Sequence, residues 1–182
     1  MRRLIAEDES IIRMGLKSML QEMGHEVYAA ADGREALQLA RHYEPEMAIL
    51  DIKMPKTDGL QAAKTLARTQ PMPILLLTAF SQQDLVDRAT ELPIQGYLVK
   101  PIQAPELSAA IAVAKKRFAE TQALEAENIR LEQQLETRKL VEKAKGKLMA
   151  RGLSEEEAYH VLQQHARTNR LSLKEVAEAV LR

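Results

Sequence analysis

The chain has 182 residues, 46% of them hydrophobic, enough apolar material for a core and too much for wholesale disorder. No apolar stretch approaches the roughly 20 residues of a membrane span, Glu7 arrives too early for a signal peptide, and the absence of cysteine excludes disulfides and thiolate chemistry, so a cytoplasmic protein is expected. The net charge of zero hides an asymmetry: residues 1–136 carry 16 Lys+Arg against 20 Asp+Glu, and residues 137–182 carry 10 against 6, so an acidic front and a basic tail point to different partners.

Short apolar runs near 3–7, 26–31, 47–51, 74–78 and 94–99 alternate with amphipathic stretches. Leu4-Ile5-Ala6 ends in Glu7 and Asp8. The helical pattern from Ile11 to Leu20 is closed by Gly24. Asp32, with Glu35 three residues on, has the spacing of a capping box for the second helix. Met47-Ala48-Ile49-Leu50 ends in Asp51, and a turn with Pro55 and Gly59 follows. Ile74-Leu75-Leu76-Leu77 ends in Thr78, Ser81 is placed to cap a fourth helix, and Gly96-Tyr97-Leu98-Val99 ends in Lys100 before Pro101. Five strands alternating with five helices predict an α/β doubly wound parallel sheet over residues 1–118, right-handed at each crossover.

From Pro105 the last helix of this unit has no reason to stop: no Pro or Gly occurs between Glu106 and Lys145. Within the connector, residues 119–136, Leu124, Asn128, Leu131 and Leu135 follow the spacing of a coiled-coil seam, with Asn128 placed to fix register in a dimer. A solvated connecting helix is the alternative. Residues 137–182 read as a small three-helix module. Its first helix stops at Gly152, and the others open with Ser154/Glu157 and Ser172/Glu175, both spaced as capping boxes.

Three carboxylates, a hydroxyl and an ammonium thus fall at carboxyl ends of strands, the edge where open parallel sheets bind ligands. Phosphoryl transfer needs positioning and charge neutralisation. Asp51 is the candidate phosphoacceptor. Glu7, Asp8 and Asp51 suit Mg2+ (or Mn2+), which takes one or two carboxylates together with waters and phosphate oxygens. Lys100 would offset charge on the phosphoryl oxygens, Thr78 would donate a hydrogen bond to one of them, and Ala79 leaves room beside the backbone. Each residue alone has a plain reading, as a helix-start acid, a turn hydroxyl or a surface lysine; the coincidence of all of them is hard to attribute to packing.

Glu7-Asp8, Asp51 with Met54-Pro55 and Asp58-Gly59, Thr78-Ala79 and Tyr97-Leu98-Val99-Lys100-Pro101 together resemble the receiver domain of bacterial response regulators. The resemblance implies a flavodoxin-like fold, phosphorylation of Asp51 by a sensor histidine kinase, a metal contact from the Lys53 backbone carbonyl and a cis peptide before Pro101. It also implies a switch in which Thr78 moves toward the phosphoryl group and Tyr97 turns inward; an ordinary half-buried strand aromatic is the plain reading of Tyr97. Lys53 and Phe80 occupy positions that vary in the family and flank the path of attacking water, so they are expected to slow hydrolysis of the acyl phosphate.

In the tail, Lys139, Lys143, Lys147 and Arg151 form a basic stripe at i, i+4 spacing, and Arg167, Arg170 and Lys174 cluster around the second turn. Such a footprint suits a polyanion, or else a solvated helical face with lysine stems along the core edge. Tyr159 is the one aromatic available for stacking on a base, and it suits the core equally. Residues Ala144 to Met149, Gly152 to Tyr159, Leu162 and Leu173 to Ala177 resemble an ANTAR domain, the RNA-binding module of antitermination regulators. That resemblance implies binding to mRNA leader hairpins as a homodimer formed through the long helix on phosphorylation. Gln163-Gln164 depart from the Arg or Lys of many relatives, which implies weaker RNA affinity or a larger share for Lys143, Lys147 and Arg170.

The rival outputs are a DNA-binding helix-turn-helix and a protein-interaction or dimerisation module. A recognition helix would have to be Ser172–Arg182, where Glu175 and Glu178 would face phosphates and the chain ends without a further helix or wing. An enzymatic output is disfavoured, because the tail has no acid–base or metal constellation and no phosphate-binding glycine loop.

Overall fold

The computed structural model describes residues 1–79 and 93–182, which divide into two compact units, Met1–Thr121 and Gln122–Arg182. Ser81 and Phe80, expected to cap a fourth helix and to flank the water path, lie outside the described residues.

In the first unit, strands β1 (Arg2–Ala6), β2 (Glu26–Ala30), β3 (Ala48–Asp51), β4 (Ile74–Thr78) and β5 (Gly96–Val99) form one parallel sheet in the order β2-β1-β3-β4-β5. Helices α1 (Ser10–Glu22), α2 (Gly33–Tyr43) and α3 (Gly59–Thr69) alternate with the strands, and α4 (Ala104–Met149) follows β5. β3 and β4 are buried along their whole length, which explains their unbroken apolar runs: a sheet covered on both faces cannot alternate apolar with polar. Successive residues feed opposite cores. Leu4, Ala48, Leu50, Ile74 and Leu76 join Ala36, Ala40, Ala62 and Leu66 on one side. Ile5, Ile49, Leu75 and Leu77 join Leu16, Leu20, Leu107, Ile111 and Ala114 on the other.

Local signals set the element ends. Gly24 takes φ +79 just past α1, the left-handed value that a residue without Cβ adopts at no steric cost. Asp32 caps α2 by accepting the Glu35 amide, but the expected box is altered: the Glu35 carboxylate accepts the Ala31 amide at 2.7 Å. Asp58 caps α3 through the Gln61 amide.

Helix α4 runs unbroken into the second unit, as the lack of Pro and Gly predicts, and ends at Met149 before Gly152 at φ +98. Helices α5 (Glu155–Asn169) and α6 (Leu173–Leu181) both open with complete capping boxes, from Ser154/Glu157 and Ser172/Glu175. Val141, Ala144, Leu148, Ala158, Leu162, Val176 and Ala177 close one small core. The apolar faces of the three helices therefore pack together.

Candidate functional site

The strand order sets the site. β1 and β3 are neighbours although a whole βα pair separates them in sequence, and the chain reverses its winding direction between them, where open α/β sheets bind ligands. Ala6 is level with Leu50, Asp51 with Leu77, and Thr78 with Val99. Glu7, Asp8, Asp51, Thr78 and Lys100 consequently gather at one edge. The backbone ties the edge together: the Ile52 amide donates to Leu77, and the Lys100 amide to Thr78. The peptide before Pro101 is cis, as expected.

Side chains complete the arrangement. Lys100 Nζ lies 2.7 Å from Glu7 Oε2 and 3.0 Å from Asp51 Oδ1, bridging two carboxylates that are almost wholly buried. Burial pushes the Asp51 carboxyl above its ordinary value; Lys100 pulls it back and the Asp8 charge adds to the rise. Glu7 is raised likewise, by burial first, against the opposing hydrogen bond from Lys100. Burial alone would lower the Lys100 ammonium, but its bonds to Glu7 and Asp51 prevail and it stays more firmly protonated than a free lysine.

Ligand oxygens of Glu7, Asp8 and Asp51 lie within 4.8 Å of one another, a spacing that one cation can bridge. An all-carboxylate donor set with Asp8 open to solvent fits a hard divalent ion that keeps several of its waters. Lys53 is exposed and, with Asp8, Met54, Pro55 and Asp58, lines a cleft of about 460 Å3 beside the cluster.

Thr78 is buried at the strand end, its hydroxyl donating to the Ala79 carbonyl at 3.1 Å, while Ala79 is exposed. Tyr97 is 56% exposed, so the plain reading of a half-buried strand aromatic is corrected: β5 is an edge strand and this ring faces outward.

Two supporting contacts were not legible in the sequence. Arg13 Nη1 donates to the carbonyls of Glu7 at 2.6 Å and Asp8 at 3.0 Å, holding the acidic loop from the first turn of α1. Lys56, in the left-handed region at φ 66, reaches Asp32 at 2.6 Å and ties the β3–α3 loop to the N-cap of α2. A basic residue five positions after an acid pair was the available signal for Arg13; nothing in the sequence links Lys56 to Asp32.

In the second unit, Lys139, Lys143, Arg151, Arg167 and Arg170 are exposed and Lys147 is partly covered. Lys174 is ion-paired with Glu136 at 2.9 Å, which offsets its charge locally. Lys145, absent from the basic stripe, is buried between Glu155 at 2.7 Å and Glu142 at 3.1 Å and sits over the Tyr159 ring, 6.0 Å from its centroid. Glu155 first and Glu142 second raise its pKa. Tyr159 is 40% exposed. On α4, Leu124, Leu131 and Leu135 of the seam are 67%, 44% and 57% exposed, and Asn128 is exposed beside them. Glu175, which would face phosphates in a DNA-reading helix, is engaged by Ser172 in the capping box.

Comparisons with known proteins agree with both halves of this description. The response regulator receiver domain family matches residues 4–112, and the ANTAR domain family matches residues 130–181. The transcriptional regulatory protein PdtaR of Mycobacterium tuberculosis is 48% identical over 99% of this chain and 89% of its own. A probable transcriptional regulator, ycf27 of Porphyridium aerugineum, is 40% identical over 63% of this chain and 48% of its own. Among solved structures, a receiver domain protein from Clostridium thermocellum has TM-score 0.60 and 31% identity, covering 64% of this chain and 94% of that one. The receiver domain of AraT from Geobacillus stearothermophilus has TM-score 0.59 and 32% identity, covering 66% and 97%. Both matched families are regulatory rather than enzymatic, and among the described residues no helix is long and apolar enough to cross a membrane. The chain belongs to the two-component response regulators, as a receiver domain followed by an ANTAR domain.

Proposed function

We propose that this response regulator is phosphorylated on Asp51 by a sensor histidine kinase and, in that state, binds mRNA leader hairpins to prevent transcription termination. Residues 1–118 act as receiver, 119–136 as a coiled-coil connector and 137–182 as the RNA-binding output. The observation that carries the reading is the Asp51–Lys100–Glu7 cluster on the same chain as an ANTAR match.

An Asp51 oxygen attacks phosphorus of a phosphohistidine; the P–N bond breaks as the P–O bond of an acyl phosphate forms, and the histidine leaves with its nitrogen electron pair. Glu7, Asp8, Asp51 and the Lys53 carbonyl would hold Mg2+ (or Mn2+), which supplies charge neutralisation when bound. Lys100 moves from the free carboxylate to a phosphoryl oxygen, and Thr78 donates to another. Thr78 and Tyr97 then form the switch: Tyr97, now exposed, turns inward and changes the surface around β5. Exposed Leu124, Leu131 and Leu135 support dimerisation through the α4 seam, with Asn128 setting register. Lys139, Lys143, Lys147, Arg151, Arg167, Arg170 and Lys174 supply candidate phosphate contacts, with the share of Lys174 reduced by Glu136. All of this is expected in the cytoplasm, where nascent transcripts are.

The test is binding of a two-hairpin leader RNA with and without beryllofluoride, an acyl phosphate mimic, and Mg2+, in wild type and Asp51→Ala. Tighter binding that requires Asp51 is expected. No RNA binding in either state would return the tail to the DNA or protein-partner readings.

A further inference from the structure

The second unit carries a cleft that neither the basic stripe nor the seam uses. It has a volume of about 570 Å3, within the range of ligand pockets. One wall is α4, contributing Arg130, Gln134, Arg138 and Glu142; Tyr159 of α5 and Leu173 of α6 complete it. Below the rim, Lys145 is clamped by Glu142 and Glu155 against the Tyr159 ring, so both aromatic and cation are held in place before anything binds.

The chemistry of the lining is mixed. Arg130 and Arg138 only donate, Glu142 has carboxylate lone pairs beyond those facing Lys145, and the Gln134 amide both donates and accepts. A surface built for phosphates alone would be uniformly cationic. An aromatic ring beside interleaved donors and acceptors matches instead the face and edge of a nucleobase, the parts of RNA readable only where bases are unpaired.

We infer that this cleft receives one unpaired base of the hairpin loop, with Tyr159 as stacking platform and Arg138, Gln134 and Glu142 on the base edge. Arg130 at the rim, whose Nε and Nη2 already donate to Glu127 at 2.9 Å, offers its remaining N–H groups to the adjoining phosphate. The inference rests on RNA binding by this unit. It assigns base selection to the cleft, while the basic stripe contributes affinity that is blind to sequence.

The experiment uses the full-length protein held in its phosphorylated-like state by beryllofluoride and Mg2+, and a pool of synthetic RNA hairpins with a fixed stem and fully randomised loop, captured, sequenced and compared with the input. Wild type should enrich one base identity at one loop position by about tenfold or more, the scale of a stacked, hydrogen-bonded base. Tyr159→Leu and Arg138→Gln should each flatten that position to about twofold or less, and Tyr159→Phe, which keeps the ring, should retain it. Lys143→Ala should weaken capture of all loops alike without changing the preferred base. Arg138 is exposed, so its variant tests the cleft without disturbing the core. Enrichment unchanged in both cleft variants would overturn this inference alone. A wild type that captures no RNA would overturn it together with the functional reading beneath it.

Discussion

Replacing Lys100 by Met removes the cation that bridges two buried carboxylates while keeping most of the side-chain volume. Glu7 is fully buried and Asp51 nearly so, at 2.7 and 3.0 Å from the ammonium. At an effective dielectric of about 20, each contact carries roughly 5–6 kcal/mol of gross attraction, most of it cancelled by desolvation. Breaking a buried pair by deleting one partner costs ~3 kcal/mol at the low end of the usual range, the end that applies where carboxylates can take up a proton. Both carboxyls already stand above their ordinary values because of burial, and Lys100 is the main group restraining them, ahead of the Glu9 and Ile52 amides; without it they rise further. Between the unfolded value near ~4 and that raised value, the folded state binds more protons than the unfolded one, so stability falls as pH rises. The variant's loss should therefore be largest near pH 8 and shrink toward pH 5. Urea unfolding at a series of pH values, followed through the amide resonances of Ile49 and Leu76, measures it within the first unit. An equal loss at pH 5 and pH 8 would show that the two carboxylates do not depend on Lys100.

Asp51→Asn should abolish phosphoryl uptake from a small acyl phosphate, read as loss of the shifted band on a phosphate-affinity gel; uptake at the wild-type level would move the acceptor elsewhere. In wild type, Mg2+ at about a hundred times its dissociation constant should add roughly 2.7 kcal/mol to stability, and Glu7→Gln with Asp8→Asn should remove most of that increment in the same urea assay. In Gly59→Ala the new Cβ meets the Asp51 carbonyl oxygen; because the obstacle is backbone, a loss of about 1–3 kcal/mol and slower phosphoryl uptake are expected. Ser172→Ala should cost about 1 kcal/mol through loss of the α6 cap, seen as a lower thermal midpoint of the second unit with phosphoryl uptake unchanged.

The candidate site was legible because parallel topology converts chain order into proximity. Once Leu4–Ala6, Met47–Leu50 and Ile74–Leu77 are read as strands, their C-terminal neighbours must share an edge, and Glu7, Asp51 and Thr78 do. Helix starts were legible where the cap is local, as at Ser154 and Ser172. The clamp of Arg13 on the Glu7 and Asp8 carbonyls was missed because an arginine can point anywhere from a helix's first turn. Lys56–Asp32 was missed because the partners lie on different loops. The outward Tyr97 could not be told from a half-buried one, since apolar content does not distinguish an edge strand from its neighbour. In the tail, i, i+4 counting follows positions 139, 143, 147 and 151 and so passes over Lys145, whose importance comes from being buried against Tyr159. The cleft went unseen for the same reason: its walls come from three helices.

The two units run on different folding clocks. In the first, every ladder joins residues far apart in sequence: Leu4 must find Ala48, and Ala48 must find Ile74. In the second, the helices are consecutive and each capping box closes across three residues. Low contact order favours the fast end of the range and non-local parallel pairing the slow end. The ribosome releases the slow unit first, which gives its sheet time to close while the helical tail is still being made. A tail that then collapses quickly onto its own short-range contacts offers the unfinished sheet little exposed apolar surface with which to mispair.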